Sequence, residues 1–121
     1  MNSKKEPTRE DARQILKKGI LDMSIARLIQ MSRYGLMGNI LLSTKFAEAN
    51  NAFNRIEYDE ENNIITFLIR ESQGCNYGEI SFSIDLIAEI SGCEDEEKPD
   101  EYLNINIKLK DDTEINIRVL Y

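Results

Sequence analysis

Apolar residues occupy every second position between residues 102 and 109 and again between 114 and 120. This two-residue period is typical of strands with one buried face and one wet face. The sequence KDDT lies between the two runs and favours a tight turn, so the runs predict a terminal antiparallel hairpin. Related patterns predict further strands at about 55–59, 64–70 and 79–84, and a short helical turn near 85–90.

The first third of the chain follows the helical period instead. Thr8 suits an N-cap, and Asp11 three residues later completes a capping-box pattern. Ile15 and Leu16 are expected to face the core, and Gly19 is expected to end this helix. The patterns predict helices at about 8–18, 23–34 and 44–53.

Helices followed by strands predict an α+β domain, in which N-terminal helices precede a mainly antiparallel sheet of about five strands. The third helix would begin at Ser43 or Thr44, both suitable N-caps. A chain of 121 residues is long enough for one core, so a single domain, 1–121, is expected. It divides into a basic helical part, 1–54, and an acidic β-rich part, 55–121.

Charge is distributed unevenly along the chain. Residues 1–45 contain nine basic and four acidic residues, a net charge of +5, whereas the remainder contains six and eighteen, a net charge of −12. Basic residues between Arg9 and Lys18 would lie along one helix, where nucleic acid is one conceivable partner. The acidic half weakens attraction to phosphate, so direct nucleic-acid binding is not expected. The alternative is that these basic residues pair with acidic ones of the same chain or of a neighbour.

The acid run, Glu94–Glu101, contains six carboxylates in eight residues. Charge runs are usually solvated loops, and that is one interpretation of this one. The other is a surface for a basic partner, to which acidic strand-connecting loops would contribute if they gather at one end of the sheet. The residues predicted to bind a partner are Glu94, Asp95, Glu96, Glu97, Asp100, Glu101, Glu60, Glu61, Asp111 and Asp112.

The segment SRYGLMGNILLSTK, residues 32–45, collects two glycines with basic, amide and hydroxyl side chains. Phosphate-binding loops use backbone amides freed by glycine and a lysine followed by a hydroxyl residue, but the order here differs from theirs. Gly35 is explained more simply as the end of a helix. A small-ligand module for a nucleotide or a phosphorylated signal is the alternative function. Its ligand-binding residues would be Arg27, Arg33, Asn39, Ser43 and Lys45.

No catalytic or metal-binding signature assembles from the sequence. The chain has no histidine, so no imidazole base is present to activate Cys75 as a nucleophile. Two thiols combined with carboxylates are not a usual structural zinc set. Cys75 and Cys93 are expected to be reduced, and no enzymatic activity, cofactor or metal is expected.

The expected location is the cytoplasm of a bacterial host. No apolar run approaches the length of a membrane span, and the opening MNSKKEPTRED is polar where a signal peptide is hydrophobic. Seventeen isoleucines against one valine, with eleven asparagines, indicate the codon usage of an AT-rich genome.

In size and composition the chain is similar to the small acidic inhibitor proteins of bacterial mobile elements. These include phage anti-defence proteins, anti-CRISPR proteins among them, and toxin immunity proteins. The resemblance carries no motif and transfers no site residue. With the acidic half, it favours a non-enzymatic protein that blocks a basic, nucleic-acid-handling site on a partner protein. A self-assembling accessory protein, in which the basic helices of one subunit meet the acidic sheet of the next, is a further alternative.

Overall fold

Two helices and one antiparallel sheet make up the described residues, 8–70 and 77–121, of this computed structural model. The helices are α1 (Arg9–Leu21) and α2 (Ile25–Met31). The strands are β1 (Gly38–Ser43), β2 (Glu48–Asp59), β3 (Ile64–Arg70), β4 (Tyr77–Ser83), β5 (Ile87–Glu94), β6 (Tyr102–Leu109) and β7 (Glu114–Leu120). They pair antiparallel in the order β4-β3-β2-β1-β7-β6-β5. The predicted α+β class is confirmed, with seven strands in place of about five.

Three strands and the first helix agree closely with the sequence pattern. β3, β6 and β7 have the predicted bounds. The helix predicted at 23–34 is present as α2, which is shorter than predicted. α1 begins with the predicted capping box, in which Asp11 N donates to Thr8 Oγ1 and Thr8 N donates to Asp11 Oδ2, both at 3.1 Å. Contrary to the prediction, α1 continues through Gly19 and ends at Leu21.

The helix predicted at 44–53 is wrong, because these residues form a turn and the first half of β2. Thr44 Oγ1 accepts hydrogen bonds from Phe46 N at 3.3 Å and Ala47 N at 3.1 Å. The hydroxyl makes the contacts of an N-cap, but it closes the β1–β2 hairpin instead. Phe46 is 92% exposed in this turn.

The helical turn predicted near 85–90 is confirmed only at Ile84–Leu86, a single 3-10 turn. From Ile87 the chain forms β5, and its pairing with β6 shifts register between Ile87 and Glu89. A bulge of this kind inserts one extra residue, so that residues three positions apart point to the same face. Ile87 and Ile90 have this spacing, which imitates a helical turn in the sequence.

The sheet is strongly curved. Its edge strands, β4 and β5, are consecutive in the chain and are joined by Ile84–Leu86, which we call the corner. From Ser83 to Ile87 the chain spans at most about 14 Å. A flat sheet of seven strands would hold its edges about 29 Å apart. The sheet therefore curls until one end of β4 reaches one end of β5, although these two described strands do not pair with each other.

The inner face of the curved sheet holds the hydrophobic core. Phe67 is fully buried and packs edge-on against Phe53, with ring centroids 5.2 Å apart, and nearly parallel to Phe82, at 6.1 Å. Every second residue of β6 and β7 is buried on this face. α1 packs against β5 and β6, and Gly92 permits this close approach, because a Cβ atom there would lie 1.7 Å from Ile20 O.

The outer face is polar across β6, β7 and β1. Cross-strand pairing aligns Arg118 with Asn104 on one side and Asn39 on the other. In the neighbouring cross-strand pair on this face, Asn116 Nδ2 donates to Asn106 Oδ1 at 2.8 Å. These amide-rich positions are the wet face expected for the terminal hairpin.

Candidate functional site

The β2–β3 turn carries two of the predicted partner-binding residues, Glu60 and Glu61. Asp59 Oδ1 accepts hydrogen bonds from Glu61 N at 3.1 Å and Asn62 N at 3.3 Å, which fixes the turn. Asn62 Nδ2 donates to Asp59 Oδ2 at 2.7 Å. These bonds, that from the Asn62 side chain above all, lower the pKa of Asp59, so its carboxylate is ionised at neutral pH.

Asn63 attaches this turn to the corner. Its carbonyl accepts a hydrogen bond from Ile84 N at 2.9 Å, and its Nδ2 donates to Asp85 Oδ1 at 3.0 Å. The φ angle of Asn63 is 56°, a left-handed conformation that asparagine tolerates better than most residues. The turn that carries Glu60 and Glu61 is thereby attached to the corner that carries Asp85.

The β6–β7 turn reaches the same corner from the other side. Lys110 N donates a hydrogen bond to Leu86 O at 2.8 Å. Leu86 lies two residues after Ile84, which contacts the β2–β3 turn. Asp111 Oδ1 accepts a hydrogen bond from Thr113 N at 3.0 Å, which lowers the pKa of Asp111. Asp112 follows with a φ of 70°. Two acidic turns that are distant in sequence therefore flank one three-residue corner.

We call the resulting acidic patch the corner surface. Its carboxylates are all exposed. They belong to Glu60, Glu61, Asp85, Asp111 and Asp112. Lys108 Nζ lies 3.8 Å from Asp112 Oδ1, but both side chains are solvated and such pairs are weak. Lys110, in the β6–β7 turn, is also exposed, so five carboxylates lie near two lysines and the corner surface remains predominantly negative.

The acid run lies at the opposite end of β5 and β6 from the corner. It connects the last residue of β5 to the first residue of β6, whereas the β6–β7 turn follows the last residue of β6. The eight residues of β6 separate these two loops by about 25 Å. The predicted partner-binding residues therefore form two groups, the acidic turns at the corner and the acid run at the far end.

Basic residues of α1 cover part of the acid run. Lys17 Nζ lies 3.1 Å from Glu94 Oε1, and this hydrogen bond raises the pKa of Lys17. Arg13 Nη2 donates to the carbonyl of Asp100 at 2.6 Å, and its guanidinium carbon lies 4.8 Å from the centroid of the Tyr121 ring. The basic helix and the acidic loop thus pair within one chain.

Asp95 belongs to the acid run but is only 8% exposed. Its carboxylate accepts hydrogen bonds from Arg118 Nε at 3.0 Å and Nη2 at 2.9 Å. Asn104 Nδ2 donates to it at 3.0 Å and Lys98 N at 2.9 Å. The bonds from Arg118 contribute most to lowering the pKa of Asp95 to about 2. The Arg118 guanidinium carbon also lies 4.1 Å from the centroid of the Tyr102 ring. The carboxylate of Asp95 is therefore engaged by hydrogen bonds within the chain.

Four carboxylates of the acid run remain exposed without the cover of Lys17. They are Glu96, Glu97, Asp100 and Glu101. Lys98 Nζ lies 3.9 Å from Glu101 Oε2, an exposed pair at the limit of ion-pair distance. The net negative charge of this second acidic surface is smaller than the sequence indicates, because basic residues of α1 and of the loop lie next to it.

The residues predicted to bind a small ligand do not form one cluster. Asn39 and Ser43 lie toward the two ends of β1 on the outer face of the sheet. Arg27 belongs to α2, in the helical layer on the inner side. Arg33 and Lys45 are exposed in the connections that follow α2 and β1.

An apolar groove between α1 and α2 was not foreseen from the sequence. It has a volume of about 520 Å³, and we call it the helical groove. Ile15, predicted to face the core, is 68% exposed at its rim, while Leu16 next to it packs inward. Adjacent helical residues point about 100° apart, and here Leu16 lies on the side that faces the sheet while Ile15 lies beside it at the edge of the groove.

The described residues contain neither a metal-ligand cluster nor a membrane-spanning helix. Within 8–70 and 77–121, no three metal-ligating side chains come together. In the same ranges, neither helix is long and apolar enough to cross a membrane. Cys93 is free and exposed, whereas Cys75 lies outside the described residues.

No family model, curated protein or solved structure matches the chain.

Proposed function

We propose that the chain is a non-enzymatic binding protein that blocks a basic, nucleic-acid-handling site on a partner protein. In this proposal it belongs to the small acidic inhibitors of bacterial mobile elements, of the phage anti-defence or immunity type, which it resembles in size and composition. The observation that supports the proposal is the corner surface, where two acidic turns and Asp85 meet. A patch of exposed carboxylates complements a positive surface and accelerates encounter with it.

The corner surface is a better contact than the acid run. Glu94 is paired with Lys17, and Asp95 is held by Arg118, so part of the acid run is already neutralised within the chain. At the corner, the turn geometry uses Asp59 and Asp111 as acceptors of backbone N–H groups, which keeps these carboxylates ionised. The exposed carboxylates of the acid run then provide a secondary contact.

The test compares two charge-reversal variants that change the net charge equally at different ends of the sheet. The corner variant combines Glu60→Lys, Glu61→Lys and Asp112→Lys, and these side chains do not supply the hydrogen bonds that fix the two turns. The control variant makes the same change at the acid run, with the substitutions Glu96→Lys, Glu97→Lys and Glu101→Lys. Circular dichroism checks that both variants fold.

Each protein is immobilised and used to capture partners from a bacterial lysate, and the ability of a captured protein to bind DNA is measured by gel shift. We expect the wild type to capture a nucleic-acid-binding protein and to inhibit its DNA binding, and the control variant to retain both properties with a smaller loss than the corner variant. The corner variant should lose both properties, and capture by the wild type should weaken at high ionic strength. Equal capture and inhibition by the corner variant and the wild type would contradict the proposal, as would capture that is insensitive to salt.

A further inference from the structure

The helical groove has a buried apolar floor and an exposed apolar rim. Ile20, Met31 and Leu36 form its floor, and they are 1%, 4% and 9% exposed. Ile15 and Tyr34 stand at its rim, and they are 68% and 57% exposed. Apolar side chains around a concave surface lose unfavourable contact with water when a ligand covers them.

One cation faces this groove. Arg27 is the single charged side chain among the described residues that line it. Its Nη1 lies 3.6 Å from the position that a Cβ of Gly19 would occupy, so the guanidinium reaches across to α1. Its ion pair with Asp22, at 3.3 Å, joins side chains that are 45% and 82% exposed, and water therefore screens it strongly. Arg27 thus has hydrogen-bonding capacity for a further anion.

The size of the groove favours a small molecule over a protein. A volume of about 520 Å³ lies within the range of about 300–1,000 Å³ that is usual for small-molecule sites. A stable protein interface uses about 20–30 residues on each side, whereas the described residues that line this groove number eleven. A second copy of the chain, or a helix of another protein, would need a larger apolar surface than the groove provides.

We infer that the helical groove binds one amphipathic monoanion, such as a fatty carboxylate, with its hydrocarbon chain between α1 and α2 and its carboxylate on Arg27. The apolar walls select the hydrocarbon chain, and the guanidinium selects the charge. The groove is built from different residues than the corner surface, so this inference does not depend on the proposed function.

The first experiment titrates the full-length protein with dodecanoate, below the concentration at which it forms micelles, by isothermal calorimetry. We expect saturable binding of one molecule per chain and a melting temperature that rises with ligand concentration. Dodecyltrimethylammonium has a hydrocarbon chain that is one methylene longer and the opposite charge, and it should bind at least tenfold more weakly. Non-saturable uptake, or equal affinity for the two ligands, would overturn the inference.

Variants then locate the site. Arg27→Gln should weaken dodecanoate binding by about tenfold, the usual effect of losing one charge-assisted hydrogen bond, and should leave the binding of uncharged dodecanol unchanged. Arg33→Gln is the matched control, because Arg33 is exposed outside the groove, and it should bind as the wild type does. Ile15→Asp should weaken both ligands without unfolding the chain, since Ile15 is exposed.

Two results would contradict this assignment. One is equal loss of dodecanoate binding in Arg27→Gln and Arg33→Gln, which would indicate an effect of net charge alone. The other is a dimer in light scattering that dissociates in Ile15→Asp but not on addition of dodecanoate, which would assign the groove to a second copy of the chain. The corner variant should bind dodecanoate with wild-type affinity. The dodecanoate experiments therefore test the helical groove independently of the function proposed for the corner surface.

Discussion

Replacing Asp95 by asparagine changes the charge at the centre of a hydrogen-bond network while keeping the shape of the side chain. The carboxylate accepts two bonds from Arg118 and one each from Asn104 and the backbone of Lys98. Asparagine has one oxygen to share among these donors, and its NH₂ group turns a donor toward other donors. Asp95→Asn should therefore destabilise the junction of the acid run with β6 and β7.

The magnitude follows from the pKa of Asp95, which is lowered from 3.8 to about 2, chiefly by the hydrogen bonds from Arg118. That difference corresponds to about 2.4 kcal/mol. Because Asp95 is 8% exposed, solvent screening removes little of it, and we expect a loss of about 2 kcal/mol in the free energy of unfolding at neutral pH.

The pH dependence has a definite sign. The pKa of Asp95 is lower in the folded chain than in the unfolded one, so its contribution is complete above about pH 4 and is lost as the pH falls through about 2. About half of the contribution should remain at about pH 3. The difference in stability between the wild type and Asp95→Asn should shrink accordingly.

Urea unfolding followed by circular dichroism measures this difference. Glu96→Gln is the control, because it removes an exposed charge from the same loop, and it should change the stability by less than about 0.5 kcal/mol. Two results would refute this role of Asp95: wild-type stability of Asp95→Asn at neutral pH, or a destabilisation that is the same at about pH 7 and about pH 3.

Two further predictions concern packing, and both are measured by urea unfolding. Gly92→Ala should cost about 3 kcal/mol, because its Cβ would lie 1.7 Å from the backbone oxygen of Ile20, whereas Gly35→Ala, with open space within 4 Å, should be nearly neutral. A mild effect at Gly92 would mean that α1 does not pack this closely on β5. Phe67→Ala should cost about 3–5 kcal/mol and Phe46→Ala almost nothing, since the first is fully buried and the second 92% exposed. Similar losses in the two phenylalanine variants would contradict the described core.

The sequence predicted strands accurately where alternation is uninterrupted. β6 and β7 bury every second residue, so their sequence period equals their structural period. β3 is an apolar run of the length that is usual for a strand, and it lies between β2 and β4 in the sheet. β1 contains a similar short apolar run, Ile40–Leu42. A run of this length is compatible with a strand or with part of a helix, and β1 was not predicted as a strand.

Bulges give two of the strands an apolar spacing that resembles the spacing of a helix. In β2 the register shifts between Phe53 and Arg55, and in β5 it shifts between Ile87 and Glu89. In β2 the bulge places Phe53 and Ile56, both buried, three positions apart on one face, and in β5 it does the same for Ile87, which is buried, and Ile90, which is partly buried. A spacing of three also marks one face of a helix, so the apolar pattern alone cannot distinguish a bulged strand from a helical turn.

The candidate site depends on the curvature of the sheet, which composition does not reveal. A net charge of −12 in the second part of the chain identifies the acidic residues, but α1 covers Glu94 and Arg118 holds Asp95, so part of that charge is balanced within the chain. The two acidic turns meet because three residues join opposite edges of the sheet and force it to curl. The same short corner that completes the fold thus supplies the backbone groups, at Ile84 and Leu86, that hold both turns in place. A longer connection would relax the curvature and separate the carboxylates, so the corner surface is a consequence of the length of this connection as much as of the charges it brings together.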